Sequence, residues 1–167
     1  MAGKKTEASD GDARIFENRP SSLDELTHAE MLALYRESTD TLRFVKHLQW
    51  WTIGSTLLTF GALIGIARMV DGNREFVDTL MWIVILLSMT VIFTLAIYQF
   101  WQHTESVKIE EISRHMSTLF VRVRRLKSAK EANIHRYLLL AFMSFAIVLG
   151  AIVTSAGLEQ MLLATGR

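Results

Sequence analysis

Three histidines stand beside the ends of the long apolar runs of this chain. His47 precedes the first run, His103 follows the second and His135 precedes the third. Imidazole nitrogens bind transition metals and haem iron. If the three runs are helices that end at one level, these side chains form a candidate cofactor site for a metal, a haem or a quinone headgroup.

The residues around the histidines also fit a simpler interpretation. The flanks His47–Trp51 and Gln99–His103 are nearly mirror images, and in antiparallel helices this reversal puts like residues at like depth. Tryptophan and tyrosine form belts at both membrane interfaces, where histidine and glutamine are ordinary neighbours. The aromatic belt is the favoured interpretation, and no cofactor is expected.

The elements that must position these residues are three apolar runs, Leu48–Val70, Val77–Phe100 and Tyr137–Leu158. Each holds about 23 residues, enough for a helix to cross a ~30 Å hydrocarbon core at ~1.5 Å per residue. Within lipid the backbone polar groups must be satisfied inside the segment, which only a helix achieves for a single run. No Asp, Glu, Lys or Arg lies in the middle of any run.

The sequence therefore predicts an all-α integral membrane protein with three transmembrane helices, an N-terminal amphipathic cytoplasmic helix and a helical cytoplasmic loop between spans two and three. Two capping-box pairs, Ser22 with Glu25 and Thr27 with Glu30, mark the start of the first helix. The predicted segments are a disordered tail (1–21), the amphipathic helix (22–47), span one (48–70), a short external loop (71–76), span two (77–101), the basic loop (102–135), span three (136–158) and an external tail (159–167).

The orientation follows from the distribution of basic residues. Fifteen of the 18 lysines and arginines lie before span one or between spans two and three, and three lie on the other side. Cytoplasmic segments next to membrane spans carry such an excess of Lys and Arg. The sequence predicts a bacterial inner membrane protein with a cytoplasmic N-terminus and an external C-terminus.

Small residues recur at helical spacing in two of the spans. In a bilayer, such residues let two helix backbones approach closely. Span one has two sides of small residues, a glycine side and an opposite stripe formed by Thr52, Ser55, Thr56 and Thr59. We expect span three to pack on one of these two sides. The predicted helix-packing positions are Gly54, Gly61 and Gly65 in span one, and Ala146, Gly150, Thr154 and Gly157 in span three.

The loop between spans two and three carries an apolar row with heptad spacing. Its members are Ile109, Ile112, Met116, Leu119, Val123 and Leu126. The row predicts a helix face that packs on another helix, either the row Met31, Tyr35, Leu42 and Val45 of the same chain or another subunit.

The same loop must return to the membrane. A straight continuation of span two to Leu126 would end ~38 Å away, and the ten residues left before Tyr137 reach at most ~36 Å fully extended. The loop therefore folds back as a hairpin or lies along the membrane. Its basic residues are candidates for contact with anionic lipid headgroups: Arg122, Arg124, Arg125, Lys127 and Lys130.

Composition excludes several chemistries. The chain has no cysteine, so disulfides and thiol catalysis are absent, and no phosphate-binding glycine loop or Ser–His–acid grouping is evident. We expect no enzyme and no nucleic-acid partner, because a basic loop beside a bilayer is explained by topology.

The order of elements over roughly Thr27–Leu126, a helix leading into a two-span hairpin and then a cytoplasmic helix, resembles the SLATT effectors of bacterial defence systems. That resemblance implies membrane disruption, and the third span departs from it.

Three functions follow as hypotheses. The leading one is a scaffold or accessory subunit that associates with itself or with other membrane subunits. The second is a homo-oligomeric pore or membrane-perturbing effector, and the third is a haem, metal or quinone protein.

Overall fold

The structure, a computed structural model, describes residues 18–70, 73–125 and 129–165, with backbone only at 124, 125, 129–133, 164 and 165. Four helices make up its regular structure in these ranges: α1 (Glu25–Met69), α2 (Arg74–Arg114), α3 (Thr118–Arg125) and α4 (Ala129–Thr165). The prediction of an all-helical chain with three helices long and apolar enough to cross a membrane is confirmed.

Helix α1 begins at a different cap from the two predicted capping boxes. The carboxylate of Asp24 accepts a hydrogen bond from the backbone N–H of Thr27 at 3.1 Å. Hydrogen bonding from the Thr27 side chain first, and from this backbone N–H second, holds the pKa of Asp24 below its usual value. From there α1 runs without a break for 45 residues. At ~1.5 Å per residue it is ~68 Å long, about twice the ~30 Å hydrocarbon core, so much of it extends beyond a bilayer.

The apolar core lies where α1, α2 and α4 pack together. Large side chains from all three helices fill it, and Val77, Val84, Leu95, Ile147 and Leu158 are fully buried. The outer faces of the same helices carry exposed large apolar side chains. This arrangement suits a bundle that lipid surrounds.

The packing of α4 on α1 differs from the predicted pairing of small residues with small residues. A Cβ atom at Gly150 would lie 2.8 Å from Leu57 Cδ2 and 3.1 Å from Phe60, and one at Gly157 would lie 3.8 Å from Ile64. The small residues of α4 therefore receive large side chains of α1. Within one chain the glycines of α1 therefore do not pair with those of α4, because the glycines of α1 face outward.

The predicted heptad row does not form one continuous face. Ile109, Ile112 and Met116 are buried, but α2 ends at Arg114 and the chain turns before α3 begins. Beyond the turn, Leu119 and Val123 are 55% and 59% exposed, and Leu126 lies outside the described residues. The break has a local cause, since the Ser117 hydroxyl accepts the N–H of Phe120 and starts a new helix.

An N-terminal strap, Arg19–Ser21, holds this turn. The backbone N–H of Thr118 donates to the Arg19 carbonyl at 3.2 Å, and the Arg19 N–H donates to the Thr118 hydroxyl at 3.0 Å. The Ser21 hydroxyl donates to the carbonyl of His115 at 2.8 Å. One α3 side chain, Phe120, packs edge-on against Tyr35 of α1. The loop therefore folds back against α1.

We expect Gly150→Leu to destabilise the monomer by ~1–3 kcal/mol, because the new side chain overfills the contact with Leu57 and Phe60. Thermal unfolding in a detergent that keeps the protein monomeric measures this loss. The matched control is Gly61→Leu, whose new Cβ meets no atom within 4 Å. Equal midpoints for the two variants would contradict the packing described here.

Candidate functional site: a polar cluster where the three long helices meet

Two glutamines lie buried at the end of the apolar core. Gln49 of α1 and Gln102 of α2 are only 2% and 3% exposed. The side-chain nitrogen of Gln102 donates to the side-chain oxygen of Gln49 at 2.7 Å. Exposed tryptophans, Trp50 and Trp101, follow Gln49 and precede Gln102 in the sequence. The pair therefore lies beside exposed tryptophans and links α1 to α2.

Arg136 brings α4 to the same place. Its guanidinium donates to the backbone oxygen of Gln102 at 3.3 Å and to the Ser106 hydroxyl at 3.1 Å. It also lies 3.4 Å from Nδ1 of His103. A guanidinium has no acceptor, so any hydrogen bond in this contact runs from Arg136 to Nδ1. These contacts join α4 to α2.

Glu105 adds an acidic group one turn further along α2. Its side chain is 8% exposed and accepts a hydrogen bond from Lys108 Nζ at 2.8 Å. That bond is the main reason why the pKa of Glu105 lies below its usual value, and hydrogen bonds from Ser38 and Trp101 act in the same direction against the effect of burial. Since Ser38 belongs to α1, the carboxylate also links the two long helices.

We call these residues, Ser38, Gln49, Gln102, Glu105, Ser106 and Arg136, the rim cluster. Its described polar groups bond to one another across three helices. Interhelical hydrogen bonds of this kind hold membrane helices in one register. These bonds link α1, α2 and α4 at one level of the bundle.

The three predicted histidines are distributed differently. All three are exposed, and among them His103 contacts the rim cluster through Arg136. On α1, Val45 and Gln49 face inward, which turns the intervening His47 toward the outside. No three His, Asp or Glu side chains within the described ranges come together as a metal site. A single chain therefore does not assemble the predicted three-histidine ligand set.

The glycines of α1 form a surface that no described part of the chain covers. Gly54, Gly61 and Gly65 are exposed, and a Cβ atom built at any of them would meet nothing within 4 Å. We call this row, with the exposed Leu58, the glycine seam. On α4, Thr154 is buried and its hydroxyl donates to the Gly150 carbonyl at 2.8 Å, and Ala146 is half-buried.

The basic loop residues are only partly described. Arg122 of α3 is exposed, whereas the side chains of Arg124, Arg125, Lys127 and Lys130 lie outside the described part of the structure. Phe120 of the same helix contacts Tyr35, which lies ~21 Å along α1 from Gln49. Headgroup contact of the basic run stays a prediction.

Comparison with known proteins gives no relative: no protein-family model matches the chain, and no curated protein or solved structure is significantly similar to it.

Replacing one buried glutamine leaves the other without its partner. We expect Gln49→Leu to lower the free energy of unfolding by ~1–3 kcal/mol, the cost of an unsatisfied buried amide. Adding Gln102→Leu should recover much of this loss, because both polar groups are then removed and the Gln102 backbone bond to Arg136 is kept. A double-mutant cycle from unfolding in detergent measures the coupling. Purely additive losses would show that the pair is not coupled.

Glu105 makes stability depend on pH. Because its folded-state pKa is lowered from 4.5, its contribution is present above that value and is lost as the pH falls through the folded pKa. The difference in melting temperature between wild type and Glu105→Gln should be constant near neutral pH and shrink in acid below the ordinary carboxyl pKa. A difference that grows on acidification would contradict the ionised hydrogen-bonded state.

Proposed function

We propose that this protein is a non-enzymatic membrane subunit that scaffolds an assembly by helix–helix association. The observation that carries the proposal is the glycine seam, whose three glycines leave open backbone on either side of the exposed Leu58 on the outer face of α1. Its partner is a second copy of the chain or a different membrane subunit.

The seam differs from the other outer faces of the bundle. Large exposed side chains cover α2 and α4, among them Trp82, Leu86 and Phe93 on α2 and Phe142 and Phe145 on α4. Such side chains suit contact with lipid tails. Between membrane helices there is little hydrophobic drive, so association depends on close van der Waals packing, which glycine permits. A strip of glycines is therefore the part of this surface best suited to another helix.

The proposed location is the bacterial inner membrane, with a cytoplasmic N-terminus and an external C-terminus. Support comes from the excess of basic residues in the segments before span one and between spans two and three. The long extensions of α1 and α2 past the Gln49–Gln102 pair lie on that same side. They give a cytoplasmic subunit a surface on which to dock.

A water-filled pore receives less support from the hydroxyl stripe of α1. The hydroxyls of Ser55 and Thr56 donate to the carbonyl of Thr52, and that of Thr59 donates to the carbonyl of Ser55. Thr56 is also buried. These groups are already satisfied within the helix, so they do not require a wet path.

We expect Gly61→Ile with Gly65→Ile to weaken assembly at least ~10-fold, equivalent to ~1.4 kcal/mol, by blocking close approach. Because a Cβ at either glycine meets no atom, the monomer itself should remain folded. Sedimentation in a mild detergent measures the oligomer size. The matched control is Ala156→Ile, an exposed small position on α4. If the glycine variant keeps the wild-type oligomer size, the seam is not the interface.

The orientation can be read with single cysteines, because the natural chain contains none. Exposed positions on the two sides are Ala29 and Gln160. A membrane-impermeant maleimide should label Gln160→Cys in spheroplasts and label Ala29→Cys only after lysis. The reverse pattern would overturn the proposed orientation without bearing on the assembly.

A further inference from the structure

The N-terminal strap lies over a cleft that several parts of the chain line together. The cleft has a volume of about 380 Å³. Its lining comes from the strap, from α1, from the turn after α2 and from α3, and includes Pro20, Ser21, His28, Leu32, Met116 and Phe120. These walls form one cleft only while the strap lies against the turn. The position of the strap therefore determines whether the cleft exists.

The hydrogen bonds that hold the strap lie at the surface. The Arg19 N–H donates to the Thr118 hydroxyl, and the Ser21 hydroxyl donates to the His115 carbonyl, both at exposed positions. The third described bond, from the Thr118 N–H to the Arg19 carbonyl, joins two exposed residues. Water competes for such groups, so each bond adds little net stability. The strap is therefore weakly held.

An unsatisfied nitrogen lies beside the strap. Nδ1 of His28 is buried and has no hydrogen-bond partner within the described part of the chain. In either neutral tautomer this nitrogen gives up its bond with water and gains none, which opposes its burial. Since Pro20 and Ser21 line the same cleft as His28, lifting the strap lets water reach the ring. Opening therefore relieves an unfavourable feature of the closed state.

Opening also changes the hold on α3. In the closed state the strap binds Thr118, the first residue of α3, and Phe120 packs edge-on against Tyr35 with the ring centroids 5.4 Å apart. We propose that the strap opens and closes while α1, α2 and α4 stay packed, and that its opening frees the start of α3 from the N-terminal segment. The strap is thus a conformational switch for the loop. It is independent of the glycine seam, so its failure would leave the proposed function standing.

The test is amide hydrogen exchange, followed residue by residue by NMR on the full chain in nanodiscs. The reporter is the N–H of Thr118, which is bonded to Arg19. The reference is the N–H of Val45, a fully buried residue of α1 that precedes the first apolar run. Relative to unfolded-state rates, Thr118 should exchange at least ~100-fold faster than Val45, because local opening needs less free energy than global unfolding. Equal protection of the two amides would overturn the proposal.

Two variants test the cause of the opening. His28→Leu removes the unsatisfied nitrogen and should slow exchange at Thr118 at least ~5-fold, whereas Ser21→Ala removes a strap bond and should speed it at least ~3-fold. The matched control is His47→Leu, an exposed histidine ~29 Å further along α1, which should leave Thr118 unchanged.

Two results would contradict this account. Wild-type exchange at Thr118 in His28→Leu would show that the buried nitrogen does not drive opening. A change at Val45 by the same factor as at Thr118, in either strap variant, would show that the strap opens only when the bundle unfolds.

Discussion

The hydrogen bond between Gln49 and Gln102 fixes how the three long helices meet. Both amides are buried at the end of the apolar core, where an unpaired polar group costs ~1–3 kcal/mol, so the pair allows few other registers of α1 on α2. The backbone oxygen of Gln102 then accepts from Arg136 and brings α4 into the same layer. Once this register is set, Val45 and Ser38 face inward along α1, and His47 and the glycine seam face outward.

The outward faces follow from that register, and the glycine seam on one of them carries the proposed function. Inside the bundle, Gly150 and Gly157 of α4 receive side chains of α1, so these small residues are already used. The glycines of α1 have no such neighbour, and their bare backbone suits another helix. The outer face of α4 instead carries exposed large apolar side chains, among them Phe142 and Phe145.

Length and hydropathy were enough to predict three apolar helices, because each run is long and has no charged residue in its middle. The sequence also held the signal for the Gln49–Gln102 pair, since the mirrored flanks place these residues at like depth. The sequence analysis predicted a cofactor site at the histidines instead. A mirror pattern does not show whether the histidine or the nearby glutamine of each flank faces inward. The predicted single helix face in the loop was wrong for a related reason. The heptad spacing of apolar residues continues past His115 and Ser117, whereas α2 ends at Arg114 and α3 begins at Thr118. Hydrogen bonds of Arg19 and Ser21 with residues almost 100 positions away also hold that turn, and spacing within the loop gives no sign of them.

The central claim is that another helix covers the glycine seam in the membrane. The most direct measurement is the native mass and subunit composition of the protein when it is extracted from its own membrane into lipid particles without detergent. The account predicts an assembly larger than one 19.0 kDa chain, made of repeated copies or of copies with other membrane subunits. A uniform population of single chains, surrounded only by lipid, would contradict it.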